Sequence, residues 1–454
     1  MATRFVGRMR MITVFFICVA FTIVGRLYVL QVMRGHTYAE RAEAQFTAPA
    51  NTLIDRGAIY FTDRSGARVT AATLKSGTAL SVNPTKVIDA EGLFAALKDL
   101  LPLEHDDFIA HATKKGSRYQ GIADHLDGSV GEILQQKQLP GLIIEQDKWR
   151  LYPGGSLAAQ ELGFVAYNAG DVQEGRYGLE RFYNSTLVRK SNDLYSNFFV
   201  ELFGSVRSVL QGDQQEGDLV TTIEPSVQAE LERQLVLYDG AWHPKLSGGI
   251  IMNPQTGEIY AMAVSPSFDL NAFNTQTNPL IYANPLVQNV YEMGSIIKPL
   301  TMAAGIDSGA VTETTTYNDT GSIEIDGKKI SNFDGKARGV IPMQEVLSQS
   351  LNVGASYVAT SMGSTTMRNY FLDHYKLGTT TGIDMPGEVH GIVKNLQSRR
   401  LVEYDTASFG QGIALTPIET VRALATLANG GYLVVPHLVR GITYTNGVTK
   451  DLSW

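Results

Sequence analysis

The sequence predicts an α+β protein in three parts: an apolar N-terminal helix, a mixed α+β region, and a second α+β region in which helices flank an antiparallel sheet. Three observations carry that prediction. Residues 11–32 form an apolar run broken by a single arginine, Arg26. Strand-like and helix-like segments then alternate until the chain turns polar between Gln211 and Asp218. Past that point two apolar runs, 247–252 and 258–264, are joined by Asn253-Pro254-Gln255-Thr256-Gly257, which is the pattern of a hairpin.

Taken in order, residues 1–10 carry Arg4, Arg8 and Arg10 and read as a cytoplasmic tail. A helix over 11–32 is long enough to cross a bilayer core, with Arg26 and Tyr28 placed for the far interface. A cleaved signal peptide and a core helix are the competing readings. No small-residue cleavage pair follows the run closely, so an uncleaved single-pass anchor is expected, with the body of the protein outside the plasma (inner) membrane. Residues 33–212 form the first α+β region. Ile59 and Tyr60 sit in a predicted strand, Asp63-Arg64-Ser65-Gly66 in a turn, Gly141 to Glu145 in a strand, and Phe182, Tyr183 and Leu187 on an apolar helix face. Residues 213–454 form the second. Leu219 to Ile223 reads as a strand, and Pro225 opens a helix to about Tyr238 with Val227, Leu231 and Leu235 on one side. Val421 to Gly431 reads as a helix with a glycine end, and Tyr432 to His437 as the beginning of a strand-like segment.

Composition narrows the chemistry. With 44% hydrophobic and 18% charged residues in 454, the chain can bury a large core. A net charge of -7 without a basic stripe argues against nucleic acid as a partner. The single cysteine, Cys18, excludes an internal disulfide or a thiolate metal site. Glu104-His105-Asp106-Asp107 with His111 reads as a solvated acidic helix rather than a metal site. No metal and no cofactor is expected.

One stretch carries reactive chemistry: Tyr291-Glu292-Met293-Gly294-Ser295-Ile296-Ile297-Lys298-Pro299. On a helix, Ser295 and Lys298 share a face. A neutral amine beside a hydroxyl can take its proton and make it a nucleophile. Gly294 permits a tight turn, and Pro299 requires the helix to start near Ser295, at the positive end of its dipole. Ser-x-x-Lys occurs by chance in chains of this length, so context decides. Ser350-Leu351-Asn352 supplies a second hydroxyl and an amide, able to relay a proton and hold a substrate amide.

Together these residues resemble the class B penicillin-binding proteins. Further similar stretches are Arg26-Leu27 with Leu30-Gln31-Val32, Arg56-Gly57-Ala58-Ile59, Asp63-Arg64-Ser65-Gly66, Asn83-Pro84, Tyr152-Pro153 and Gly178-Leu179-Glu180. Pro254-Gln255-Thr256-Gly257-Glu258-Ile259, Ser265-Pro266-Ser267-Phe268-Asp269, Thr381 to Glu388 and Phe409 to Pro417 continue the series. The resemblance implies a non-catalytic pedestal (dimerisation-like) domain over 33–212 and a transpeptidase domain over 213–454. It implies a peptidoglycan D,D-transpeptidase, with Ser295 as acylated nucleophile, Lys298 as base, Ser350 as proton shuttle and Asn352 orienting the donor peptide. Peptidoglycan stem peptides on glycan derived from the lipid-linked precursor would be the substrate, and beta-lactams would acylate Ser295. The pedestal's modest size favours a role in division, alongside a glycosyltransferase and other division proteins.

One departure stands out. The family carries a Lys-Thr/Ser-Gly strand after Ser-x-Asn, and no such triad follows Asn352. Lys75-Ser76-Gly77 and Ser81-Val82-Asn83 have the right letters in the wrong place and read as a pedestal strand. The expectation is a C-terminally truncated record of a longer enzyme, inactive or nearly so as written. A non-catalytic wall-assembly scaffold is the alternative, and a beta-lactamase or drug sensor the third reading.

Overall fold

In the computed structural model, residues 55–169, 172–189 and 216–454 are described. The expected anchor over 11–32 and the helix continuing from it lie outside the described residues. Among the described residues no helix is long and apolar enough to cross a membrane. The chain divides into two compact units, Lys75–Trp149 and a second made of Asp55–Leu74 with Arg150–Trp454.

In the smaller unit, the second half of strand Arg68–Val82 pairs antiparallel with Gln120–Leu126. Three short helices, Ala90–Leu97, His105–Ala112 and Gly128–Lys137, bring Leu93, Leu97, Phe108 and Leu134 onto Leu80 and Val82. Asp89 and Asp127 cap two of these helices by accepting from Gly92 and Ser129 N–H. Lys75-Ser76-Gly77 and Ser81-Val82 lie within the long strand, as expected of a structural element. His105 lies in a helix and contacts the Glu91 and Asp106 carboxylates, which raise its pKa.

The larger unit holds several sheets and two hydrophobic cores. One sheet has the order 449–451, 439–444, 217–221, 59–62, then the start of Arg68–Val82. Strand Gly217–Thr221 runs parallel to Ile59–Thr62 and antiparallel to Val439–Tyr444. Segments from both sides of residue 212 therefore share one sheet. The unit also contains a buried charge cluster. Glu180 accepts from Arg56 Nε at 2.5 Å and from Arg150 Nε at 2.6 Å, and all three side chains are excluded from solvent. Arg150 also donates to Gly57 O at 2.7 Å and Arg56 to Glu180 O at 2.6 Å. The Arg56-Gly57 and Gly178-Leu179-Glu180 stretches of the sequence are thus two halves of one network.

The hairpin appears as strands Ser247–Met252 and Ile259–Ser265, turned at Gly257 with φ +83° and an Asn253 side chain that accepts from Gln255 N. Helix Pro225–Trp242 packs on it, with the Glu224 carboxylate capping Ser226 and Val227 N–H. The helix's expected apolar side is the half-buried one. Only Gln228 is fully buried, Val227, Leu231 and Leu235 are half-buried, and Val236, Leu237, Tyr238 and Trp242 are exposed. Among the described residues the sheet here has two strands, so Ser247–Met252 is paired on one side. A second core packs helices Lys298–Asp307, Asn352–Met362 and Leu401–Ser408 around Leu300, Val358, Phe371 and Ala407.

Two expectations are corrected. Residues 432–437 form no strand; the strand is Val439–Tyr444. Gly430 and Gly431, at φ +82° and +93°, and Pro436, which lacks an N–H, break the ladder before it starts. Of the expected apolar helix face, Tyr183 and Leu187 are buried but Phe182 is 46% exposed, and the segment forms two short helices, Gly178–Phe182 and Asn184–Leu187.

Candidate active site

Gly294 starts the site. At φ +62° it turns the chain into a 3-10 segment, Gly294–Ile297, which runs on as the α-helix Lys298–Asp307 with Pro299 in its first turn. This is the start position that Pro299 demanded. The turn is clamped from behind by the stretch 410–415. Gly294 N donates to Gly410 O at 3.1 Å, and Tyr291 and Leu415 exchange backbone bonds of 2.9 and 2.8 Å. The Glu292 carboxylate accepts from Gly412 N at 2.8 Å. A Cβ on Gly410, itself at φ +78°, would stand 2.2 Å from Gly294 O, so the two backbones approach as only glycine allows.

Ser295 is exposed, whereas Lys298 is 2% exposed. The Lys298 Nζ lies 3.1 Å from Ser295 Oγ, 2.9 Å from Ser350 Oγ and 2.6 Å from Ser350 O. Three acceptors match the three donors of an ammonium. Ser350 Oγ lies 2.9 Å from Ser295 Oγ, which closes a triangle of two hydroxyls and one amine. Burial pushes the Lys298 pKa down to about 8, because a charged amine loses its hydration there. A lysine of ordinary pKa would be protonated at neutral pH and useless as a base. This one has a usable neutral fraction.

Ser350 adopts φ +53°, a left-handed conformation that a residue with a Cβ reaches at a cost. The twist sends both its carbonyl and its hydroxyl to Lys298. Asn352 follows as the first residue of helix Asn352–Met362, and its Nδ2 donates to Ser331 O at 3.0 Å. The helix packs tightly there, since a Cβ on Gly354 would meet Val346 and Tyr317 at 2.4 and 2.6 Å. All four residues singled out from sequence are therefore accounted for. Ser295, Lys298 and Ser350 touch one another, and Asn352 stands two residues from Ser350 on a hydrogen bond of its own. Among the described residues no second cation hydrogen-bonds Ser295, Ser350 or Asn352. The backing loop at Gly410 and Gly412 lies in the Phe409 to Pro417 stretch that carries part of the resemblance, but nothing in that stretch places it behind Gly294. Ser331, which holds Asn352, sits among residues with no motif.

The arrangement can deprotonate an exposed hydroxyl, deliver the proton onward through a second hydroxyl, and use the Ser295 N–H at a helix start to stabilise negative charge. Comparisons with known proteins bear on what it acts upon. Residues 248–452 match the penicillin-binding protein transpeptidase domain, and residues 53–216 match the penicillin-binding protein dimerisation domain. The chain belongs to the class B penicillin-binding proteins. Its transpeptidase domain is therefore of the serine type. Among its relatives is the stage V sporulation protein D of Bacillus subtilis, 28% identical over 451 residues, which cover 98% of this chain and 68% of that protein. Another is the peptidoglycan D,D-transpeptidase FtsI of Escherichia coli, 26% identical over 421 residues, covering 90% and 68%. The structure of penicillin-binding protein 2X from Streptococcus thermophilus has the same fold, with a TM-score of 0.68 at 24% identity. The match covers 88% of this chain and 62% of that one.

Proposed function

We propose that this penicillin-binding protein is a membrane-anchored peptidoglycan D,D-transpeptidase working at cell division. The observation that carries the reading is the triangle of Ser295, Lys298 and Ser350, closed by bonds of 2.9–3.1 Å around an amine whose pKa burial brings down to about 8. Ser295 Oγ attacks the carbonyl of the penultimate D-alanine of a stem peptide, and its proton passes to Lys298 Nζ. Ser350 carries a proton to the nitrogen of the terminal D-alanine, which leaves as the C–N bond breaks and an ester to Ser295 remains. An amine of a neighbouring stem then attacks the ester, forms the cross-link and returns the serine. Asn352 holds the donor's backbone amide. Beta-lactams, whose ring amide presents the same carbonyl, acylate Ser295 by the first half of this sequence.

The pedestal over 33–212 and the transpeptidase domain over 213–454 complete the reading, with residues 11–32 as the single-pass anchor and 1–10 in the cytoplasm. The division role draws support from the names of relatives, a sporulation protein and FtsI among them. A glycosyltransferase and division proteins are the partners that role requires. Labelling with a fluorescent penicillin tests the chemistry. Ser295→Ala abolishes labelling, and labelling that persists refutes Ser295 as nucleophile.

A further inference from the structure

Helix Asn352–Met362 has an unusual start. Its N-cap residue is Leu351, which has no polar atom to offer the first free N–H groups. The cap comes instead from elsewhere in the chain. Asn332 Oδ1 accepts from Val353 N at 3.1 Å. The same side chain, 3% exposed, donates through Nδ2 to both carboxylate oxygens of Asp319, at 3.0 and 3.1 Å, and more weakly to Lys336 O at 3.3 Å. Asp319 is 0% exposed, ends strand Thr316–Asp319, and also takes Gly321 N at 3.3 Å and Arg338 N at 3.1 Å. The residue before Asn332 is Ser331, whose carbonyl holds the Asn352 side chain at 3.0 Å.

Asp319, Asn332 and Ser331 thus hold the start of the helix at two points, one backbone and one side chain. Neither Asp319 nor Asn332 hydrogen-bonds Ser295, Lys298 or Ser350. A buried carboxylate and a buried amide are costly unless each atom is satisfied, and here the surrounding loops converge to satisfy them. Such an arrangement fixes where Asn352 points while leaving proton transfer alone.

We propose that Asn332, oriented by Asp319, is a positioning residue that sets the Asn352 amide for the donor peptide, and so governs substrate and beta-lactam binding rather than the rate of proton transfer. The proposal rests on the role assigned above to Asn352.

A charge-swap cycle tests it in the full-length protein, read by the kinetics of penicillin acylation. Asn332→Asp keeps an acceptor for Val353 N but sets a second carboxylate against Asp319, so near pH 8 the pair repels and the helix start shifts. The binding constant for penicillin weakens about tenfold or more, as expected for breaking a buried hydrogen-bonded pair, while the acylation rate at saturation changes little. Binding recovers as the pH falls and one proton bridges the pair. The double variant N332D/D319N restores a donor–acceptor pair and recovers most of the binding at pH 8. Wild-type binding in N332D, or a double variant no better than N332D, overturns the proposal. So does a loss confined to the saturated rate with binding unchanged.

A second measurement needs no substrate. In Asn332→Ala, amide exchange over residues 350–356 speeds up about tenfold while the hairpin 247–265 keeps its protection. Unchanged exchange at 350–356 overturns the proposal. Absence of Ser295 labelling in the wild type would instead refute the transpeptidase reading, and the exchange result would still decide whether Asn332 positions the helix.

Discussion

Lys298 offers the most direct test of how the site works, because one number controls both rate and stability. With a pKa of about 8, the neutral amine makes up only about 3% of the protein at pH 6.5 and about three quarters at pH 8.5, so acylation should rise about 25-fold across that interval and level off above it. Replacing the lysine with methionine keeps the bulk and removes the base. General-base catalysis contributes about 10² to 10⁴ in rate, so Lys298→Met should fall by that factor and lose the slope with pH. Stability carries the second signature. The unfolded lysine titrates near 10.5 and the folded one near 8, so between these values the unfolded chain holds more protons. The folded state therefore gains stability as pH rises from about 8 to about 10.5, by about 3 kcal/mol, and at neutral pH it bears that cost in full. Stopped-flow acylation from pH 6 to 9.5 and denaturant unfolding from pH 7 to 11 measure the two. A flat rate profile in the wild type, or an unaltered slope in Lys298→Met, would place the base elsewhere and refute the argument.

Other outcomes follow from the same geometry. Gly410→Ala should displace the Gly294 turn, because its Cβ would stand 2.2 Å from a backbone oxygen, and penicillin acylation should fall at least about tenfold. An acylation rate within a factor of two of wild type would show that the turn is not clamped from behind. Glu180→Gln leaves Arg56 and Arg150 buried without a counter-charge, so unfolding free energy should drop by about 3–5 kcal/mol, read by denaturant titration. Asp384 is fully buried and accepts from Leu438 N, Val439 N and Tyr183 Oη, yet desolvation outweighs these bonds and lifts its pKa to about 6. Between about pH 4 and 6 the folded state then holds the proton that the unfolded state releases, so stability should fall as pH rises through that window, and Asp384→Asn should flatten the dependence.

How much of this the sequence disclosed depends on the range over which each feature is encoded. Ser295, Lys298 and Pro299 sit within five positions, and the rules that place them are local: helix spacing, a permissive glycine, a proline confined to the first turn. Their geometry was legible for that reason. Ser350 and Asn352 were recognisable as a polar pair, but that the Ser350 carbonyl reaches Lys298 depends on a left-handed backbone at a serine, which no local pattern announces. Tyr432 to His437 is a continuous apolar run, but the strand it leads into starts only at Val439, because Pro436 has no N–H to give and glycines lie just upstream. Helix Pro225–Trp242 starts at the expected proline and runs one turn past Tyr238, with Val227, Leu231 and Leu235 on its half-buried side.

The features that were illegible share one physical trait. Arg56 meets Glu180 across 124 positions, Asn332 caps Val353 across 21, and Gly410 backs Gly294 across more than a hundred. In each case a polar group or a bare backbone is taken out of water and satisfied by a partner from a distant stretch. Such a bond adds little net stability, because the partners give up water to make it, but its loss leaves an unsatisfied group in the interior. That asymmetry makes these pairs good at fixing position. It also explains the division of labour in the site. Short-range rules bring Ser295 and Lys298 together, and long-range buried bonds set what surrounds them. A substitution at a long-range bond should therefore alter how substrate is held before it alters the pKa of Lys298, and the pH midpoint of acylation should stay near 8 in Asn332→Asp even where binding is lost.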